Sequence, residues 1–469
     1  MVRLKVSQSS AASIDVGTTK KDVRDAILSG PILPQMLALS APTMVVLLTQ
    51  TAFLFIEAYF IGMLGTDALA GLALVFPFWM LMLMISNGGI GSGVAGAVAR
   101  AAGARRQHDV DAIASHTLVI AIAFGLICWA VMHVFGETFY RALGGTGGAL
   151  DAALDYSAFL FASSVSIWIV NLLACAFRGR GNVMVSAVVI LSGTIILIPA
   201  TAILMFGWGP IPAMGIQGAG IAINIFYTMG ALALIWLAMK GSQGLSFGPF
   251  QFEWRYFRDI LGVGLMATAV TAQTNLLVIF LTGTAGLLGT QALAGYGIAA
   301  RLDYFMTPIL FAWGSAVLTM VAINVGAGQM ARAKAVGWTG IIAAAVFFKV
   351  VGLAIAIFPD PYVFSLTDDP EVADYALDYL QIVAPAYALL AFGFIAFYVA
   401  QGTGNVAPLF FAGTARIVLA AGGGYLVVAH YDGDIRAIAI MVFVGLVAYA
   451  AVSALVLLRR SAWKAAPDR

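Results

Sequence analysis

Apolar stretches of roughly 20 residues, long enough to cross a ~30 Å hydrocarbon core as α-helix, recur along this chain from Ile32 to Leu458. Hydrophobic residues make up 62% of the 469 and charged residues 10%, with a mean hydropathy of +0.97. Soluble domains carry about 25% charged residues, so this inventory cannot build a water-facing surface of ordinary polarity. The chain is written for a lipid bilayer.

Breaking the stretches at Gly, Pro and charged clusters predicts twelve helices: 33–62, 68–100, 112–134, 152–176, 183–206 and 217–240, then 258–282, 290–325, 337–358, 371–400, 407–430 and 436–458. The connecting segments set the orientation. Alternate segments hold Arg3, Lys5, Lys20, Lys21, Arg24, Arg100, Arg105, Arg106, Arg178, Arg180, Lys240, Arg255, Arg258, Arg332, Lys334, Arg459, Arg460, Lys464 and Arg469. The opposite set holds Arg141 and Arg436 and the acidic run Asp360, Asp368, Asp369, Glu371 and Asp374. The positive-inside rule puts both termini in the cytoplasm. The polar start, with no apolar core behind a short basic region, is expected to stay as a tail with an amphipathic turn before Pro31 rather than act as a signal peptide.

Self-similarity at a fixed offset then divides the chain. Leu64-Gly-Thr-Asp-Ala-Leu-Ala-Gly71 returns as Leu288-Gly-Thr-Gln-Ala-Leu-Ala-Gly295, 224 residues on. Ala153-Leu-Asp-Tyr156 returns as Ala376-Leu-Asp-Tyr379, and Arg178-Gly-Arg-Gly-Asn-Val183 as Gln401-Gly-Thr-Gly-Asn-Val406, both at 223. Six helices per copy is an even number, so the copies are parallel repeats about an axis along the membrane normal. The expected architecture is an all-α polytopic membrane protein of about twelve transmembrane helices, in two parallel-repeat six-helix lobes around a central cavity. Its parts are an N-terminal tail (1–31), an N-lobe (32–240), a cytoplasmic linker (241–257), a C-lobe (258–458) and a C-terminal tail (459–469). Rocking of such lobes gives alternating access. The repeated Gly- and Ala-rich blocks themselves suit turns and close helix approach.

These residues carry a family resemblance. Phe55-Ile-Glu-Ala-Tyr-Phe-Ile-Gly-Met-Leu-Gly65, Gly297-Ile-Ala-Ala-Arg-Leu-Asp-Tyr-Phe-Met-Thr-Pro308 and Asn324-Val-Gly-Ala-Gly328 resemble the multidrug and toxic compound extrusion (MATE) family, as do Arg178-Gly-Arg-Gly-Asn182 and Met214-Gly-Ile-Gln-Gly-Ala219. The likeness runs from about residue 33 to 458. It implies cation-coupled antiport, driven by an inward H+ or Na+ gradient, that expels amphipathic organic compounds, and a place in the bacterial inner membrane. Two departures stand out: Glu57 where the family commonly has Asp, and Thr194-Ile-Ile-Leu-Ile-Pro199 where many members carry an acidic residue at the position of Ile198. A second cation-binding carboxylate in the first lobe is thereby missing, which favours H+ over Na+.

Ionisable groups at membrane depth are costly and mark candidate sites. Glu57, with Gln50 seven residues earlier on the same helix face, is the candidate ion-coupling group of the first lobe, or else a carboxylate satisfied by its neighbours. In the second lobe Arg301 and Asp303 lie two apart and so point nearly opposite ways. Lys349 and Arg416 are the candidate partners of Asp303, in a cluster that is either an ion-coupling site or a structural ion pair. By the 224 offset Arg301 and Asp303 fall opposite Pro77 and Trp79, so the cluster belongs to one lobe only. Tyr304, Gln273 and Asn275 are further candidates for the cavity wall; Gln273, Thr274 and Asn275 would equally serve as bonds between helices. Asp155 and Asp378 suit helix N-termini if they fall in the first turn.

The function expected is a secondary active transporter, not an enzyme, exporting amphipathic, often cationic, small organic molecules. The alternative is a lipid-linked precursor flippase, for which Arg301, Lys349 and Arg416 are the only basic candidates in the cavity; a phosphorylated cargo favours several such groups. An intramembrane enzyme would need a metal or Ser/His constellation, and His108, His116, His133 and His430 are scattered. Cys128 and Cys175 read as packing residues. No cofactor, metal or nucleic-acid partner is expected, and two lobes in one chain allow a functional monomer.

Overall fold

The computed structural model describes residues 20–241, 243–248 and 251–463, without the side chains of 20–22, 303–305 and 460–461. The expected tails therefore lie largely outside the described residues. A short amphipathic helix α1 (Lys20–Ser29) leads into α2 (Ile32–Gly62), α3 (Thr66–Met84), a π-helical turn (Ile85–Gly89), α4 (Ile90–Gly103), α5 (Gln107–Ala142), α6 (Gly147–Ala162), α7 (Ser164–Gly179), α8 (Val183–Phe206) and α9 (Gly215–Lys240). The second half runs α10 (Trp254–Gly286), α11 (Thr290–Gly326), α12 (Met330–Ile357), α13 (Asp360–Val363), α14 (Pro370–Val383), α15 (Tyr387–Thr403), α16 (Ala407–Ile417), a second π-helical turn (Val418–Gly422), α17 (Gly423–Tyr431) and α18 (Ile435–Leu458). No strand occurs among the described residues.

Among the described residues eleven spans are long and apolar enough to cross a bilayer, and the α6–α7 pair, bent by 49°, makes a twelfth when taken as one broken span. The expected count is therefore met, with three refinements. The fourth span breaks at Ser163, whose hydroxyl donates to the Leu160 carbonyl. Its repeat partner breaks too, in a 3₁₀ turn at Ala384–Ala386 that contains Pro385, where the missing N–H cannot continue the helical ladder. And α5 begins at Gln107 rather than 112, with Asp109 in its first turn, where the helix dipole favours a carboxylate.

The repeat is visible in the backbone itself. Gly65 (φ +119°) and Gly289 (φ +114°) precede α3 and α11 in a conformation that glycine adopts without steric cost. Two separate apolar cores follow, one per lobe, and each borrows from the other half of the chain. Met36 and Leu39, at the start of α2, pack into the second-half core. Tyr256 and Ile260, at the start of the equivalent α10, pack into the first-half core.

The lobes meet at the face that carries Arg100, Arg105, Arg106, Arg332 and Lys334, here called the basic face. A Cβ on Gly103 would overlap the Ile323 carbonyl, and one on Gly326 would overlap the Arg100 carbonyl. These contacts are each other's repeat equivalents, so α4 and α11 cross backbone to backbone on the pseudo-symmetry axis. Arg100 pairs with Asp259 across the seam and donates to the Gln401 carbonyl. Helix α1 straps the same face: Arg24 donates to the Ala102 and Gly103 carbonyls, and Arg332 donates to those of Ile27 and Gly30.

Overpacking such a crossing costs about 1–3 kcal/mol. Gly103→Val is expected to shift the population with a closed basic face by roughly ten- to a hundredfold. Electron–electron distance measurements between spin labels at His108 and Lys334 would then lengthen and broaden. An unchanged distribution would show that the crossing tolerates a side chain.

Candidate functional site

Two polar constellations form inside the first lobe, and both use α2. Glu57 is only 1% exposed. Its Oε1 accepts a 2.8 Å hydrogen bond from the Tyr156 hydroxyl on α6. Tyr156 is itself fully buried. Glu57 forms no ion pair with any described residue. Burial takes this carboxylate away from bulk water, and no described cation stands in for the lost hydration. The repeat position of Glu57 in the second lobe is Leu281, so this site has no counterpart there.

The second constellation lies at Gln50, about two turns along α2 towards the basic face. Gln50 lines a small cavity with Thr43, Asn87, Asn171, Arg178 and Ser186. The π-helical turn supplies part of it: the extra residue per turn re-aims Ser86 and Asn87 towards α7, a use π-bulges often serve. Asn171 Nδ2 donates to Ser86 Oγ at 2.8 Å. Arg178 Nη2 donates to Asn87 Oδ1 at 2.6 Å and lies 2.8 Å from Cys175 Sγ.

The second-lobe candidates each take their own partners among the described residues. Gln273 Nε2 donates to Thr414 Oγ1 at 2.8 Å, tying α10 to α16. Asn275 Nδ2 donates to the Thr271 carbonyl and lies 3.7 Å from Met84 Sδ of the first lobe. Arg301 is exposed. Lys349 Nζ donates to the Pro385 carbonyl at 3.2 Å, and the Arg416 guanidinium lies 5.7 Å from the centre of the Tyr449 ring. The Asp303 and Tyr304 side chains lie outside the described residues, so the pairing expected for Asp303 has no geometry here. Asp155 and Asp378 fall well past the first turns of α6 and α14. Asp378 instead pairs with Arg436 at 2.7 Å.

Sequence reasoning missed Tyr156, Ser86, Asn87 and Asn171 as site residues and read Arg178 as a turn and orientation signal. Signals existed: Ser86-Asn87-Gly88-Gly89 interrupts an apolar span, Asn171 stands mid-span, and Tyr156 closes a repeated block.

Twelve apolar spans, two parallel lobes joined at one face, and buried polar groups along a lobe interior define a multi-pass membrane transporter. The MatE family model matches residues 42–203 and again 267–426, one match per lobe, and the chain belongs to this family. Among curated relatives, it is 24% identical over 372 residues to a FAD transporter of Shewanella oneidensis, covering 78% of this chain and 81% of that protein. It is 25% identical over 379 residues to the multidrug export protein MepA of Staphylococcus aureus, covering 80% and 82%. Among solved structures, a MOP superfamily transporter from Pyrococcus furiosus, noted for the reverse polarity of its binding pocket, superposes with a TM-score of 0.84 at 22% identity, over 94% of this chain and 97% of that one. An outward-facing multidrug resistance MATE family transporter gives 0.82 at 22%, over 93% and 97%.

Tyr156→Phe removes the hydrogen bond to Glu57 and is expected to destabilise the protein by about 1–3 kcal/mol, read as a lower melting temperature in detergent. Adding Glu57→Gln should be less than additive. Strict additivity in the double-mutant cycle would mean that the two residues are not coupled.

Proposed function

We propose that this chain is a secondary exporter of amphipathic, often cationic, small organic molecules, working by alternating access and coupled to inward H+ flow through Glu57. The observation that carries the reading is the Glu57–Tyr156 pair, a buried carboxylate with one hydrogen-bond donor and no described counter-ion. Protonation would remove the charge that burial penalises, and release would restore it when the site is hydrated. A Na+ ion would call for several oxygen ligands, whereas Glu57 has a single phenol and Ile198 stands where an acidic partner would serve. The family and the relatives named as multidrug exporters support the cargo class. The FAD transporter adds a dinucleotide to the compounds worth testing. The positive-inside rule supports a cytoplasmic basic face, with both termini inside a cell inner membrane. Both lobes in one chain support a functional monomer. Asp303 remains a candidate second coupling group, with Gln50, Gln273, Asn275, Arg301, Tyr304, Lys349 and Arg416 proposed for the cavity wall.

The test is efflux from proteoliposomes under separately imposed H+ and Na+ gradients. Efflux driven by ΔpH and reduced at least tenfold by Glu57→Gln is the expected result, given that a positioned proton-transfer group contributes on the order of 10²-fold or more. Full gradient-driven efflux by Glu57→Gln at every pH would remove Glu57 from the coupling role. Absence of efflux under both gradients, with folded protein, would favour the lipid-linked precursor flippase.

A further inference from the structure

A positive charge faces a small cavity between the lobes. Arg178 is 8% exposed, yet it forms no ion pair with any described residue. Its two side-chain hydrogen bonds to described residues both leave from Nη2, so Nε and Nη1 have no acceptor among the described residues. The side chain lines two cavities. One is the interior of the first lobe beside Gln50. The other lies between the lobes, walled by Asn87, Ser92 and Arg178 on one side and by Phe311, Ser315, Thr319 and Tyr398 on the other. Across that gap Thr319 Oγ1 donates to the Arg178 carbonyl at 3.3 Å, and the Phe311 ring centre lies 5.9 Å from the guanidinium carbon. The Tyr398 hydroxyl, on a residue 4% exposed, adds a second donor that bonds to no described residue.

A buried guanidinium without a carboxylate is costly unless something anionic or hydrated completes it. Its planar fork of donors matches an oxyanion. The repeat locates the charge in one lobe only, because Gln401 occupies the equivalent of Arg178 and is also buried. We propose that the inter-lobe cavity at Arg178 is an oxyanion site, taking one carboxylate or phosphate group between the Arg178 guanidinium and the Tyr398 hydroxyl. Both lobes wall the site, and the space between them has room for about one water, so an anion enters as the seam loosens and then bridges the two lobes. The group belongs either to an amphipathic anionic cargo or to a small inorganic anion, and the shared chemistry is recognition of a single oxyanion head. This goes beyond the exporter reading and rests on it only for the opening of the seam.

Equilibrium binding to the full chain in nanodiscs, with no gradient imposed, tests it independently of transport. The probes are 1-naphthoate, its neutral isostere 1-naphthamide, and inorganic phosphate as competitor. Wild type is expected to prefer the carboxylate by about tenfold or more, the size of a charge-assisted hydrogen bond. Arg178→Gln should erase the preference, Arg178→Lys should keep most of it, and Tyr398→Phe should weaken naphthoate alone. Competition by phosphate would identify a site for the free anion, and its failure a site that also needs the apolar body of a cargo. Equal affinity of wild type for naphthoate and naphthamide would overturn the proposal, whatever the variants do. So would a carboxylate preference that survives in a folded Arg178→Gln protein. Either result would leave proton-driven efflux through Glu57 standing.

Discussion

Gly103 and Gly326 bring α4 and α11 into backbone contact at the basic face, and the arrangement of the rest follows from that crossing. Lipid offers apolar helices no hydrophobic drive to associate, so close approach through small residues has to supply the packing. Because the two contacts are equivalent under the repeat, they place the pseudo-symmetry axis through the seam. The starts of α2 and α10 are then exchanged between the two cores. Helix α1 and the Arg100–Asp259 pair lie over the same junction, so polar bonds at the water-facing rim guard a contact that is apolar within.

The fold is symmetric where it carries structure and asymmetric where it carries chemistry. Glycines before α3 and α11 and broken fourth spans occur in both lobes. Glu57 and Arg178 occur only in the first, facing Leu281 and Gln401 as repeat counterparts. The two sites differ in kind. Glu57 is a buried carboxylate with one donor, where we propose a proton is exchanged. Arg178 is a buried cation at a cavity wall shared by both lobes, where we propose an oxyanion binds. Both lie on elements that contact the seam or border it, so a change in charge at either is able to bias the same two-state arrangement.

Much of this was legible from residue pattern. Span number, lobe division and the family likeness rest on apolar runs and on exact recurrences, which need no knowledge of side-chain direction. The site was legible in part. Glu57 stood out because a carboxylate among twenty apolar neighbours has few innocent explanations. Its partner Tyr156 lies 99 residues away, and spacing along the chain carries no sign of such a contact. Arg178 sits at a Gly-rich junction, so it read as a turn residue. Its side chain runs back into the lobe because helical side chains tilt towards the N-terminus. The expected Arg301, Lys349 and Arg416 grouping came from depth alone. Depth does not say which helix face a residue takes, and Lys349 and Arg416 have separate neighbours.

The amino-acid order alone determined the solvent of this protein, its helix count and its duplication, since hydropathy and repetition are properties of the chain taken one segment at a time. Tertiary structure decided which polar groups meet. The π-helical turn that swings Asn87 onto Arg178, the Tyr156 phenol that meets Glu57 and the crossing that shuts the basic face all join distant segments. Such contacts depend on rotations of one helix against another, and those are set by packing between helices rather than by any one helix's own sequence.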